Sequence, residues 1–257
     1  MTRWLPLLFL VVWTGALFSQ SEPITPEANP GRPTVSTPAT LTPIGYLQFE
    51  TGAFGATDSP EFSTRISANE VVKLTVHPRV QLLLGFEPIA HTIGEKRATQ
   101  FGDAFVGLQS VVARTRDDRS TLSVSLLHQI RDSGAPDVDF GSPRNSAVLL
   151  FSADTLGFHV DANALANELV NETTRRAQFG QTLSISHPVK RFIVSGEIWH
   201  FTQPFLHGHA IGNLWAIAYP IRKNLVVDTG FDRGLTSTST QWETFAGFTF
   251  MLPHRLW

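Results

Sequence analysis

The feature that most constrains this chain is a period-2 alternation of apolar and polar residues, which runs from residue 44 almost to the C-terminus. In the last such segment Phe248 and Phe250 alternate with Gly247 and Thr249. This is the period of a β-strand whose two faces meet different surroundings, because successive side chains of a strand point in opposite directions. The alternation therefore predicts an all-β protein.

The alternating segments are long. Many exceed the roughly five or six residues usual in soluble sheets and match the roughly nine to eleven residues with which a tilted strand crosses a bilayer. We count about twelve, at 44–54, 62–77, 79–91, 100–114, 118–131, 145–154, 156–166, 175–187, 190–201, 211–220, 223–232 and 240–252.

The connections between these segments alternate in length. Short turns fall at 77–79, 115–118, 154–155, 187–190 and 220–223, and longer polar loops at 55–61, 92–99, 132–144, 167–174, 202–210 and 233–239. Short periplasmic turns and longer outer loops are typical of an up-and-down barrel in the bacterial outer membrane, whereas a Greek-key sandwich has no such order. We therefore predict a single antiparallel transmembrane β-barrel of about twelve strands, with both chain ends in the periplasm.

The residues before the alternation divide into two parts. Residues 1–21 combine Arg3, an apolar stretch from Trp4 to about Phe18 and a polar end, which predicts a secretory signal peptide. An uncleaved anchor is the less favoured alternative, since the stretch is short and Pro6 interrupts it. Residues 22–43 are rich in Pro and Thr and predict an extended periplasmic linker, which leaves 44–257 for the barrel.

Composition excludes other classes of protein. A formal net charge of −2 lacks the basic excess that phosphate binding requires, so no nucleic-acid partner is expected. Beyond the N-terminus no stretch approaches the roughly 18 consecutive apolar residues of a spanning helix. The chain has no cysteine, which excludes disulfides and a lipid-modified N-terminal cysteine.

Two places depart from simple alternation. The last strand would place Phe248, Phe250 and Leu252 toward lipid, as in the C-terminal signal that the barrel-assembly machinery recognises, but Pro253 breaks the alternation and Trp257 falls out of phase with Phe250. Glu70 shares a face with apolar neighbours. A carboxylate facing lipid is costly, so we expect a bulge near 67–69 that turns Glu70 inward.

Three segments, at 45–54, 102–112 and 224–235, resemble the outer-membrane barrel proteins of the MetA-pathway of phenol degradation family, which are often described as transporters. The matching positions are Gly102, Asp103, Gly107, Asn224, Leu225, Asp228 and Gly230. The resemblance implies a barrel and a link to the uptake of small, aromatic or hydrophobic compounds. It implies no established reaction.

Charged residues on predicted inward faces are the candidates for lining the lumen. They are Glu50, Arg65, Lys73, Arg79, Glu87, Asp103, Asp228 and Glu243. They could form a charged lumen that selects solutes, or they could pair with one another and close a narrow barrel. The second interpretation is slightly favoured, because twelve strands are well below the number in open porins.

Catalytic and metal-binding roles are less favoured. His207 and His209 lie in one predicted loop near His200, but no carboxylate or cysteine completes a ligand set locally, so a solvated loop is the preferred interpretation. An enzyme would need a serine, a base and an orienting group, and no local motif marks one. The candidates would be Ser123, Ser195, His128, His159 and His200.

The sequence thus predicts an outer-membrane channel or transporter for passive passage of small molecules, without enzymatic activity, cofactor or metal. Its expected partners are outer-membrane lipids, the barrel-assembly machinery and a small-molecule solute. The longest loop, 132–144, is expected to fold over or into the mouth. Two alternatives stay open: a barrel-embedded lipid-modifying enzyme, and a secreted soluble β-protein that binds a ligand.

Overall fold

The computed structural model describes residues 26–94, 97–136, 138–139, 141, 143–171 and 173–257. The predicted signal peptide lies outside these residues. No helix in the described ranges is long and apolar enough to cross a membrane. The strands are β1 (Leu47–Thr57), β2 (Thr64–His77), β3 (Val80–Ile93), β4 (Arg97–Gln100), β5 (Ala104–Arg114), β6 (Ser120–Arg131), β7 (Asn145–Thr155), β8 (Phe158–Asn171), β9 (Thr174–Val189), β10 (Phe192–Gln203), β11 (Gly208–Arg222), β12 (Leu225–Gly234) and β13 (Trp242–Met251).

Twelve of these strands close into an antiparallel barrel. Neighbours in sequence pair in order from β5 to β13, β13 pairs with β1, and β1, β2 and β3 continue the ring to β5. The short strand β4 pairs only with the outer half of β3, so β4 and β5 form one wall strand interrupted at 101–103. The predicted fold class is therefore confirmed.

The two faces of the wall differ as the alternation predicts. Large apolar side chains remain exposed on the exterior, among them Leu84, Val106, Leu126, Leu149, Phe151, Ile185, Ile198, Trp215, Phe231 and Phe248. Uncharged polar side chains are buried on the interior, among them Gln48, Gln81, Gln109, Ser123, Asn163, Gln178, Thr182 and Thr249. Such an inside-out distribution is stable only where hydrocarbon surrounds the wall, because a soluble protein would bury the first set.

Aromatic residues mark both ends of the exterior. At the end with the short turns, the Phe192 and Tyr219 rings lie 5.2 Å apart. At the other end, the Arg233 guanidinium lies 4.5 Å from the Trp242 ring centre. Aromatic side chains at these positions form the girdles of membrane barrels at the headgroup level.

One predicted loop is wrong. Only residues 172–173 separate β8 from β9, whereas the sequence indicated a loop over 167–174. The strands extend because Ser146 donates a hydrogen bond to Asn167, and the Asn167 amide donates to Gln178. These polar contacts continue the inner face beyond the apolar band, where the alternation of hydrophobicity fades.

The prediction for Glu70 is also wrong. The pairing of β2 with β3 is irregular there, but the extra residue is on β3: Ala68 pairs with Ile89, and Glu70 pairs with Phe86. Glu70 therefore keeps an outward position, where its carboxylate accepts a hydrogen bond of 2.5 Å from the Thr51 hydroxyl. Glu87 faces the lumen by the regular alternation of β3 from Gln81, and the extra residue of the bulge lets Ala90 and Thr92 face inward beyond it.

Candidate functional site

The lumen is the candidate functional site, and it contains most of the predicted charged residues. Lys73 Nζ lies 2.5 Å from Glu50 Oε1, and Arg65 Nη2 lies 2.7 Å from Glu87 Oε2. Lys73, Glu50 and Arg65 are buried. Pairing of this kind is what a narrow barrel requires, because an isolated charge inside it would be poorly solvated.

The other predicted residues have different surroundings. Asp103 accepts a hydrogen bond of 2.6 Å from the Ser133 backbone N–H, and Asp228 faces the lumen. Glu243 points inward opposite Asp232 in the β12–β13 register. Arg79 lies outside the lumen, in the exposed turn between β2 and β3, because β2 ends at His77 and β3 begins at Val80.

An internal segment, residues 26–43, occupies the lumen. It lacks regular secondary structure, as a linker would, but it runs along the inner wall instead of leaving the barrel. Its backbone contacts inward-facing side chains around the wall: Gly31 donates to Glu50, Val35 and Ser36 to Glu197, Thr37 to Asn163, Ala39 to Ser152 and Thr42 to Gln81. These bonds satisfy backbone groups that would otherwise be buried without partners.

The strongest attachment of the internal segment is at Glu197. This carboxylate accepts hydrogen bonds of 2.7 Å from the N–H groups of Val35 and Ser36, and one of 2.6 Å from the Ser36 hydroxyl. Arg32 adds a two-point ion pair with Asp228, at 3.1 and 3.3 Å. Ala39 is fully buried against Val148 and Leu150. Charge-assisted bonds and packing together hold the segment in place.

The outer mouth is narrowed by loop 132–144, as its length led us to expect. The Asp139 carbonyl accepts hydrogen bonds from Gln178 and Gln203, and Asp139 Oδ1 accepts one of 2.8 Å from the Thr240 N–H. The loop therefore reaches from β6 and β7 to the opposite side of the mouth. Burial raises the pKa of the Asp139 carboxyl from 3.8 to about 7, although the Thr240 N–H acts to lower it.

The periplasmic mouth keeps a cavity of about 970 Å³ between the internal segment and the wall. His159 lines it, with Nδ1 2.7 Å from Asp154 Oδ1 and Nε2 3.2 Å from Asp161 Oδ2. Both ring nitrogens therefore meet carboxylates. Asp161 also accepts a hydrogen bond from Ser152, the residue that receives the Ala39 N–H, so the wall of the cavity is connected to the internal segment.

The residues proposed for an enzyme do not assemble into a Ser–His pair in the part of the chain that the structure describes. Ser123 donates to the Ala39 carbonyl. The three candidate histidines bond to amide, carboxylate and imidazole groups: His128 to Asn145, His159 to Asp154 and Asp161, and His200 to Gln181 and His209. This arrangement supplies no activated nucleophile.

Sequence reasoning missed the lumen-facing residues of the internal segment, Asn29, Arg32 and Ser36. The signal that could have indicated them lies elsewhere, in the uncharged polar residues of the inward faces. Gln48, Gln81 and Asn163 have more hydrogen-bonding groups than a narrow wall can satisfy alone, so they require a partner inside the barrel.

Comparison with known proteins supports the fold. No protein-family model matches the chain, and no curated protein sequence matches it significantly. Among solved structures, the COG4313 outer membrane channel from Pseudomonas putida F1 is similar with a TM-score of 0.60 and 14% identity, over 88% of this chain and 100% of that one. The KdgM porin is similar with a TM-score of 0.52 and 11% identity, over 79% of this chain and 98% of that one. The chain thus has the fold of an outer-membrane β-barrel.

Proposed function

We propose that this protein is a bacterial outer-membrane channel through which small solutes pass passively, and that the internal segment 26–43 limits how far the lumen is open. The observation that carries the proposal is a polar lumen, inside an apolar closed wall, that is occupied by a segment of the same chain. A structural core would not need a continuous polar interior, whereas a solute pathway does.

Three further observations support this function. The two solved structures described above are an outer membrane channel and a porin. The resemblance to the phenol-degradation family suggests aromatic or hydrophobic solutes. The outward Phe248 and the exposed Trp257 suit contact with outer-membrane lipids and recognition of the last strand by the barrel-assembly machinery.

A disulfide can test whether the internal segment controls conduction. Ser36 Oγ lies 2.7 Å from Thr182 Oγ1 on β9, close enough for the double variant Ser36→Cys/Thr182→Cys to form a disulfide with little backbone movement. Because the chain has no other cysteine, this disulfide would be the only one. We expect low conductance in planar bilayers for the oxidised variant and increased conductance after reduction.

The matched control is Ser36→Cys alone, whose conductance should not respond to a reductant. Equal conductance of the oxidised and reduced double variant would show that solutes pass beside the bound segment and would contradict its limiting role. Absence of conductance in the reduced double variant, the single variant and the unmodified protein would contradict the channel itself.

A further inference from the structure

Two histidines that are nine residues apart in sequence meet on the outer face of the wall. His200 of β10 and His209 of β11 are diagonal neighbours, since His200 pairs with Ile211 and Thr202 pairs with His209. His200 Nε2 lies 2.9 Å from His209 Nδ1. The rings are 5.1 Å apart and inclined by 20°. The structure therefore joins His209 to His200 across two strands, and not to His207, its neighbour in the loop motif.

The hydrogen bonds of the pair define which nitrogen carries a proton. His200 Nδ1 lies 3.0 Å from Gln181 Oε1, an oxygen that can only accept a hydrogen bond. The Nδ1 of His200 therefore carries the proton, and its Nε2 accepts the hydrogen bond from the Nδ1–H of His209. A shift of the His209 proton from Nδ1 to Nε2 leaves both facing nitrogens free to bind a cation. A histidine whose second nitrogen donates to a neighbouring oxygen is oriented as metal-ligating histidines usually are.

We propose that His200 and His209 form a binding site for a late first-row divalent cation, with Cu²⁺ or Ni²⁺ preferred. Two nitrogens about 2.0–2.1 Å from a metal and at right angles are about 2.9 Å apart, by the metal–nitrogen lengths found in proteins. This equals the separation in the structure, so the rings need only to reorient and the strands can stay in place. A right angle between ligands is a feature of tetragonal sites, which suit Cu²⁺ and Ni²⁺, more than of the tetrahedral sites that Zn²⁺ prefers.

The position of the pair allows access from outside the cell. Both residues lie next to the connection between β10 and β11, at the end opposite the short turns. Within the described residues there is no group of three or more His, Cys, Asp or Glu placed to hold a metal. The site therefore has two protein ligands, and water or a solute completes the coordination.

The test uses the folded full-length protein in detergent, purified without a histidine tag and titrated with Cu²⁺ alone. We expect one site in the unmodified protein that loses affinity about tenfold or more in His200→Ala and in His209→Ala. Gln181→Leu, which removes the orienting acceptor, should weaken binding about tenfold, as loss of the group that accepts a hydrogen bond from a metal-binding histidine usually does. The electron paramagnetic resonance spectrum of bound Cu²⁺ should show coupling to two imidazole nitrogens.

The matched control is His187→Ala, which removes an exposed histidine at the opposite end of the barrel and should leave the affinity unchanged. A heat-modifiable band on a gel verifies that each variant is folded. Equal affinity in the unmodified protein and in folded His200→Ala and His209→Ala would overturn the proposal. So would an equal loss of affinity in His187→Ala.

Discussion

Glu197 offers the sharpest test of how the internal segment is held. Replacement by alanine removes an acceptor of three hydrogen bonds and leaves the N–H groups of Val35 and Ser36 buried without a partner. Each bond to a charged group contributes about 1.5–3 kcal/mol, and water entering the gap offsets part of the loss. We expect Glu197→Ala to weaken attachment of the segment by about 3–5 kcal/mol, using the lower end of that range for each bond.

The weaker attachment can be measured by thiol labelling. Ala39→Cys places a single thiol in the cysteine-free chain, at a position that is fully buried when the segment is bound. Since about 1.4 kcal/mol corresponds to a factor of ten, Glu197→Ala should increase the labelling rate by a factor of about a hundred to a few thousand. Glu197→Gln, which keeps the size and one acceptor oxygen, should give a smaller increase.

Ser195→Ala is the control for a general loosening of the wall, because Ser195 lines the periplasmic cavity two residues before Glu197 on the same face. It should label at the rate of the parent protein. A labelling rate in Glu197→Ala within about threefold of the parent would refute the argument that this carboxylate holds the segment, since threefold corresponds to well under 1 kcal/mol.

The remaining predictions concern Arg32, Asp139 and loop 132–144. Arg32→Ala leaves the buried Asp228 without its partner, and loss of one member of a buried pair costs about 3–5 kcal/mol, so the variant should show more frequent high-conductance events than Arg32→Lys. The raised pKa of Asp139 means that the bound loop favours the neutral carboxyl. The free-energy cost of holding the ionised Asp139 in the bound loop is absent below pH 4, grows between pH 4 and 7 and is complete above pH 7. The loop is therefore bound less tightly at high pH, and conductance should be higher at pH 8 than at pH 5. The charges of Glu61, Asp232 and Glu243 also act on Asp139. Asp139→Asn should reduce the difference in conductance between pH 5 and pH 8, and an unchanged difference would assign it to those three acids. Replacing residues 133–143 with a short Gly-Ser linker should increase conductance, and unchanged conductance would show that the loop does not narrow the mouth.

The strands could be predicted from sequence because each records two environments in its alternation. The segment predicted at 145–154 is β7 at Asn145–Thr155, and the one at 190–201 is β10 at Phe192–Gln203. The alternation does not mark a strand where the environment outside the wall ceases to be lipid. Beyond Ala166 each face of β8 mixes polar and apolar side chains, with Asn167 and Leu169 inward and Glu168 and Val170 outward, so a continuing strand and a loop look the same in sequence.

The bulge near Glu70 shows a second limit. The sequence indicated correctly that regular alternation could not continue there. It could not show that the extra residue belongs to β3, because a register shift is a property of two strands and the pattern describes one at a time. The hydroxyl that binds Glu70 comes from a third strand, at Thr51.

The sequence by itself determined the wall of this protein: the all-β class, the number of barrel strands and the apolar exterior. These properties depend on local alternation and on the lengths of connections, both of which can be read along the chain. Only the tertiary structure decided what the wall encloses. The internal segment binds Glu197 and Asp228, and His200 meets His209, through contacts between residues that are far apart in sequence or on different strands. A Pro- and Thr-rich segment has the same composition whether it extends into water or binds inside a barrel, so its composition could not show where it lies.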